Sequence, residues 1–191
     1  MTFAVGTQHN LDCFSHSSIS FFLISFSSNG WMPHGSNCYK LKADTTKSWS
    51  AARYDCVQDG GDLVSIGSQE EEQYIIGTLD SSHFDIWIGL STLWIGLKHN
   101  PTEGGYSWSD GTPLSHTNWG SGEPNNHDNR EECVEMVSST NGTISWWNDL
   151  NCDAHQDWIC MIAKGKNPVI PPVPPSPVPG EMSTSILVLK F

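Results

Sequence analysis

A chain of 191 residues, 37% hydrophobic and 16% charged, is long enough for one ordinary domain with tails and apolar enough to bury a core. Its 21 acidic residues against 9 basic ones leave a formal charge of −12, which excludes the basic face that a nucleic-acid partner requires. Its most apolar N-terminal run, ISFFLISF from Ile19 to Phe26, is too short to span a bilayer, so no direct membrane insertion is expected of this segment.

Residues 1–30 differ in character from the rest of the chain. No lysine or arginine precedes the apolar run, so the segment reads either as a poor signal peptide or as a non-native N-terminal extension. A compact domain is expected over residues 31–163. It opens with the strand-like CYKLKA, followed by a helix whose Trp49, Ala52 and Cys56 share one face. Asp44 to Thr46 offers the helix an N-cap, and Gly60-Gly61 a stop. DLVSI alternates as a short strand. Ser68-Gln69-Glu70-Glu71 is a capping box opening a second helix, with Ile75, Ile76 and Leu79 as its apolar face. The sequence WIGL occurs twice, at Trp87 and at Trp94, and one short strand slot cannot take both copies. The late strands are CVEMV, ISWW and DWICMIA.

Residues 164–191 change composition again. KNPVIPPVPPSPVPG carries seven prolines in fifteen residues, which predicts an extended polyproline linker or tail in preference to a P-x-x-P peptide ligand.

Six cysteines stand at 13, 38, 56, 133, 152 and 160, with no C-x-x-C pair to suggest zinc or thiol redox chemistry. Widely spaced cysteines in a loop-rich chain read as disulfides, and hence as an extracellular setting. The sequon at Asn141-Gly142-Thr143 points the same way, whereas Asn100-Pro101-Thr102 is blocked by its proline.

The densest polar stretch is EPNNHDNREEC, residues 123–133, in which acids and amides crowd a segment that suits neither helix nor strand. Calcium takes six to eight oxygen ligands from carboxylates, amides and main-chain carbonyls, and Glu123, Asn125, Glu131, Asn148 and Asp149 supply that inventory. Glu-Pro-Asn alone would suit a solvated Asx-rich loop. Glu131 two residues before Cys133, and Asn148-Asp149 after Trp147, add to the calcium inventory, and the motifs around them decide between the two readings.

WSDGTPLSHTNWGSGEPN, EECVEM, WWNDLNC and DWICMIA, in that order, resemble the C-type lectin-like domain, over residues 31–163. The Pro-rich tail adds a likeness to the lectin domains of mannose receptors. The resemblance implies an α+β fold, with two helices flanking small antiparallel sheets below long calcium-binding loops. It implies disulfides Cys56–Cys160 and Cys133–Cys152, and a cis bond before Pro124. Cys38 lacks the partner that long forms of the domain supply, since Ser27 and Ser28 stand there, which leaves Cys13 as the spare cysteine. The spacing from the second WIGL to WSDG fits the family, placing Trp94 to Leu97 in the core strand.

The five oxygen-bearing residues coincide with the family's principal calcium ligands. The resemblance therefore implies a Ca2+-dependent lectin in which Glu123, Asn125, Glu131 and Asn148 also bond sugar hydroxyls; His127, beside that site, reads either as a residue packing on the sugar ring or as a surface histidine. The Glu-Pro-Asn order implies mannose, N-acetylglucosamine or fucose rather than galactose. An auxiliary ion position would draw on His99, Glu103, Asn126 and Glu132, of which two lack the acid. The implied partners are mannose-type glycans or glycoproteins, with further lectin domains in a longer endocytic or pattern-recognition receptor. The alternative is a lectin-like module that binds a protein or lipid ligand without sugar. No G-x-S-x-G, H-E-x-x-H or paired Cys–His motif supports an enzyme.

Overall fold

In the computed structural model, the described residues are 13, 30–80, 90–139 and 144–163. The N-terminal apolar run, the first WIGL at Trp87, Asn141 and the Pro-rich tail lie outside them. The elements in chain order are β1 (Met32–His34), β2 (Asn37–Lys47), α1 (Trp49–Gln58), β3 (Asp62–Leu63), α2 (Gln69–Asp80), β4 (Leu90–Asn100), β5 (Gly105–Trp108), a 3-10 turn (His127–Asn129), β6 (Cys133–Ser139), β7 (Ser145–Leu150) and β8 (Gln156–Ala163). The strands join in the order β1-β2-β8-β4-β6-β7, with β3 paired to β8 and β5 to β4. The pairings are antiparallel except that of β4 with β8.

β2 runs beyond CYKLKA, through the residues that sequence offered as the α1 cap. Lys47 still pairs with Gln156 of β8, and its carbonyl accepts the Trp94 indole N–H at 2.9 Å, so the backbone stays extended. Ser48 takes the cap position, with φ −63° and ψ 157° and no side-chain cap bond. The expected apolar face of α1 is buried: Trp49, Ala52 and Cys56. At α2 the Ser68 hydroxyl accepts the Glu71 N–H at 3.2 Å, while the Glu71 carboxylate turns back to the Gly67 N–H at 2.8 Å. Ile75 and Ile76 are fully buried; the side chain of Leu79 lies outside the described residues.

Of DLVSI only Asp62–Leu63 is strand, although Val64 and Ile66 are fully buried. Val64 donates to the Ile159 carbonyl at 3.0 Å and accepts from Gly96 at 2.8 Å, so both backbone groups are satisfied outside a ladder. Gly96 is the glycine of the second WIGL. A Cβ there would lie 2.9 Å from the Leu63 carbonyl oxygen, so the close approach requires glycine.

Three disulfides fasten this frame: Cys56–Cys160, Cys133–Cys152 and Cys13–Cys38. The first spans a sequence separation of 104 and joins α1 to β8. In the chain-entropy picture, closing a loop of that length contributes about 4–5 kcal/mol. The third answers the open question of Cys38 by joining it to Cys13.

A charged ladder lies between β2 and α1. Lys42 reaches Asp55 and Asp59, each at 2.9 Å, Lys47 reaches Asp55 at 2.8 Å, and Lys40 reaches Asp59 at 3.0 Å. Burial alone would raise both carboxyls. The hydrogen bonds from Lys47 and Lys42 to Asp55, and from Lys42 and Lys40 to Asp59, outweigh it and hold both below the ordinary value of 3.8. A depressed folded-state pKa contributes stability that is present above the unfolded value and lost as pH falls through the folded one. The Asp55→Asn, Asp59→Asn double variant is therefore expected to lose less of its urea midpoint than the parent between about pH 5 and pH 2. Parallel pH curves would show that the ladder contributes nothing.

Candidate functional site

The long segment between β5 and β6 is fixed to the frame through buried acids. Asp62 takes the Arg53 Nε and Nη2 groups, each at 3.0 Å, and the Ser109 hydroxyl at 2.9 Å, and Arg53 also reaches the Ser109 carbonyl. Glu72 of α2, 2% exposed, accepts from the Asn118 amide and pairs with His116, each at 2.7 Å, and takes the Ser145 hydroxyl at 2.6 Å. Asn118 to Gly120 then runs along the outer edge of β7. The Trp147 N–H donates to the Asn118 carbonyl at 2.6 Å, and the Gly120 N–H to the Trp147 carbonyl at 2.9 Å.

Beyond this strap the chain turns. The Glu123 N–H closes on the Gly120 carbonyl at 3.0 Å, with Gly122 in the left-handed region at φ 91°. The Glu123–Pro124 bond is cis. Asn125 donates its side-chain amide to Glu123 Oε2 at 2.6 Å. Asn126, Asp128 and Asn129 all have positive φ, a region that Asn and Asp enter more readily than other side chains.

Asp149 lies beneath the turn, fully buried. Its Oδ2 accepts the Asn126 N–H at 2.7 Å and the Tyr106 hydroxyl at 3.1 Å, and its Oδ1 accepts the Asn125 N–H at 2.9 Å. A carboxylate oxygen has two acceptor sites, so Oδ2 is filled and Oδ1 keeps one. Glu131 takes the His127 N–H at 3.0 Å, and its own N–H goes to Asn126 Oδ1 at 3.2 Å. Asn148 gives one amide N–H to Glu135 Oε1 at 2.9 Å, which leaves its oxygen and second N–H for a ligand. Glu135 is held in turn by Gln156 at 2.6 Å.

The acids feel one another. Burial raises the Glu123 carboxyl, the Asn125 bond opposes the rise, and the facing Asp149 carboxyl and the Glu131 charge carry it above the ordinary value. Burial likewise raises Glu135, against the lowering bond from Asn148, and Glu131 adds to the rise. The Tyr106 phenol is pushed well above its usual range by burial and then by Asp149, Glu131 and Glu123. Mutually repelling carboxylates held together, with two amides and no sulfur or ring nitrogen in the set, fit a hard cation such as calcium. Among the described residues no group of three or more His, Cys, Asp and Glu side chains is spaced to hold a metal by itself.

His127 stands on the rim, its side chain 76% exposed, 3.7 Å from Asp128. Of the auxiliary positions, Asn126 is engaged within the loop, Glu132 lies 3.9 Å from Lys98, and His99 packs edge-on against Tyr106. Tyr106 and Glu135, both bonded to residues of the candidate set, were not singled out in the sequence. Glu135 carried a signal, an acid inside the apolar strand CVEMV. Tyr106 carried none.

Tyr106→Phe keeps the ring that packs against Trp119 and His99 while removing one donor to Asp149. A hydrogen bond to a carboxylate of this kind is worth about 2 kcal/mol. Urea unfolding of the variant is expected to show a loss of that order, and an unchanged midpoint would mean that the hydroxyl does not hold Asp149.

Comparison with known proteins agrees with the architecture. The Lectin C-type domain family matches residues 45–162. Human C-type mannose receptor 2 is 35% identical over 139 residues, which cover 73% of this chain and 8% of the receptor, so the chain spans a small part of that relative. The C-type lectin domain of murine dendritic cell inhibitory receptor 2, solved with an N-glycan, is 32% identical, with a TM-score of 0.58 over 71% of this chain and 98% of that one. A calcium-independent type II antifreeze protein is 34% identical, with a TM-score of 0.57 over 72% of this chain and 95% of that one. Such domains are binding proteins and not enzymes. Two helices on a mixed sheet, the disulfides and the matched span together place this chain in the C-type lectin domain family.

Proposed function

We propose that the chain binds carbohydrate in a calcium-dependent manner, through Glu123, Asn125, Glu131, Asn148 and Asp149, with preference for mannose, N-acetylglucosamine or fucose. The observation that carries this reading is the bonding of one loop around buried Asp149, which takes the Asn125 and Asn126 N–H groups while Asn125 donates to Glu123 and Glu131 takes the His127 N–H. Calcium, when bound, supplies a centre to which two vicinal sugar hydroxyls add their oxygens. The chain's own residues do the rest. Asn125 and Glu123, already in contact at 2.6 Å, offer an N–H to one hydroxyl oxygen and an acceptor for its proton. Asn148 and Glu131 offer the same pair to the second hydroxyl. Asp149 closes the set from below with its remaining lone pair, and His127 flanks the sugar from the rim.

In this reading residues 31–163 are the lectin domain, residues 1–30 an extension and residues 164–191 a Pro-rich linker. The linker supports the finer likeness to the fourth lectin domain of the macrophage mannose receptor, and with it a place in an extracellular endocytic or pattern-recognition receptor. Further lectin domains in such a chain would supply avidity to a weak single site. Among the described residues no helix is long and apolar enough to cross a membrane. The sequon at Asn141 marks a glycosylation site.

A second reading, a protein or lipid ligand bound without sugar, draws support from the likeness to a calcium-independent relative. Glycan-array binding of the disulfide-bonded chain, with and without chelator, decides between them. Retention on mannose-type glycans that is abolished by chelator is the expected result; glycan binding that survives chelation overturns the calcium dependence, and no glycan binding at all favours the second reading.

The chemistry of the pair can be tested separately. Glu123→Gln with Asn125→Asp exchanges acceptor and donor within the pair and is expected to move preference toward galactose. If that double variant kept its preference for mannose, the hydroxyl-by-hydroxyl account would be wrong.

A further inference from the structure

The Glu123 carboxylate is delivered by a turn whose shape depends on two residues outside the ligand set. Gly120 begins the turn, bonded through its carbonyl to Glu123 and through its N–H to Trp147 of β7. Trp146, the preceding residue on β7, is half-buried and packs on the bare face of Gly120. A Cβ at position 120 would lie 2.8 Å from Trp146 Cδ1 and 3.4 Å from both Trp146 Cγ and Glu123 Cγ. The indole and the stem of Glu123 thus share one small space, which a single methyl group would fill.

We propose that Gly120 and Trp146 form a seat that fixes the Glu123 side chain, and that both are positioning residues for its calcium and sugar contacts. The need for a seat follows from the charges. Asp149 and Glu131 repel Glu123, which has three side-chain torsions through which to swing away. The donor that holds it within the set is the amide of Asn125, itself exposed. The indole and the Glu123 stem both border the space that a Cβ at 120 would take, so a methyl group there would press on both. Gly120 is not in the left-handed region, so alanine there tests the contact and not the backbone.

This inference rests on the calcium reading, and its test keeps the two apart. The full chain and its Gly120→Ala, Trp146→Ala and double variants are compared by calorimetric calcium titration, by mannose binding at saturating calcium, and by hydrogen exchange of the Glu123 amide in calcium-free protein. Overpacking at Gly120 is expected to weaken calcium about tenfold and to speed exchange of the Glu123 amide. Trp146→Ala is expected to weaken calcium as well. The double variant should be no weaker than Trp146→Ala, because the added methyl then meets no indole. Calcium affinities within about threefold of the parent in both single variants, or strictly additive losses in the double, would overturn the seat. Trp146→Ala, at a half-buried edge-strand position, keeps the test open should Gly120→Ala fail to fold. If the parent binds calcium but no mannose, the sugar reading fails and the calcium cycle still decides the seat. If the parent binds no calcium, unchanged Glu123 exchange in both single variants overturns the seat, and faster exchange supports it.

Discussion

The buried carboxylate of Asp149 is the constraint on which the upper half of the molecule depends. A carboxylate without solvent requires donors, and here they come from two places: the backbone of Asn125 and Asn126 in the loop, and the hydroxyl of Tyr106 on β5. One side chain of β7 therefore draws a loop with little apolar content down onto the sheet. The loop can comply because residues of positive φ occupy its bend and because Glu131 and Asn126 bond within it. Hydrophobic burial could not hold it there. Every residue from Pro124 to Arg130 is exposed.

Lower down, Glu72 and Asp62 play comparable parts, at 2% and 4% exposure. Each marks the place where an irregular segment meets the regular frame, α2 with Asn118 and His116, α1 with Ser109. The strap so held covers the edge of β7, which would otherwise present unpaired backbone groups. The disulfides act on the frame itself, two of them joining β8 to α1 and the start of β6 to the residues just after β7. Cys13–Cys38 extends the same logic to the N-terminal side of the domain.

How far the sequence disclosed this depends on the kind of interaction. Periodicity found α1, α2 and the late strands, because their apolar faces are the core: Trp49, Ala52, Cys56, Ile75, Ile76, Trp147, Ile159. It failed at Val64–Ile66, where burial is complete but the backbone bonds leave the ladder, and at the α1 cap, where pairing with β8 overrode the Asp44–Thr46 signal. The candidate ligands were legible from the oxygen inventory of residues 123–133 together with the family resemblance, which adds Asn148 and Asp149. Their supports were not. Tyr106, Glu72 and Trp146 belong to elements that ordinary patterning also describes, and only the tertiary register brings them to Asp149, Asn118 and Gly120.

Holding like charges together has a cost that the domain meets by rigidity. Were Glu123, Glu131 and Asp149 on a mobile loop, they would separate, and a cation would have to reassemble them at the expense of ordering entropy. Here Asp149 is held by Tyr106 and the loop amides and the Glu123 backbone by the closure of the turn on Gly120, so under the calcium proposal a bound cation would relieve a repulsion that the fold maintains. The acid-rich loop is attached to β7, next to the Cys133–Cys152 cross-link. Polar groups that violate the usual preference for solvated, separated charges belong at sites where binding a partner, and not folding, compensates for them.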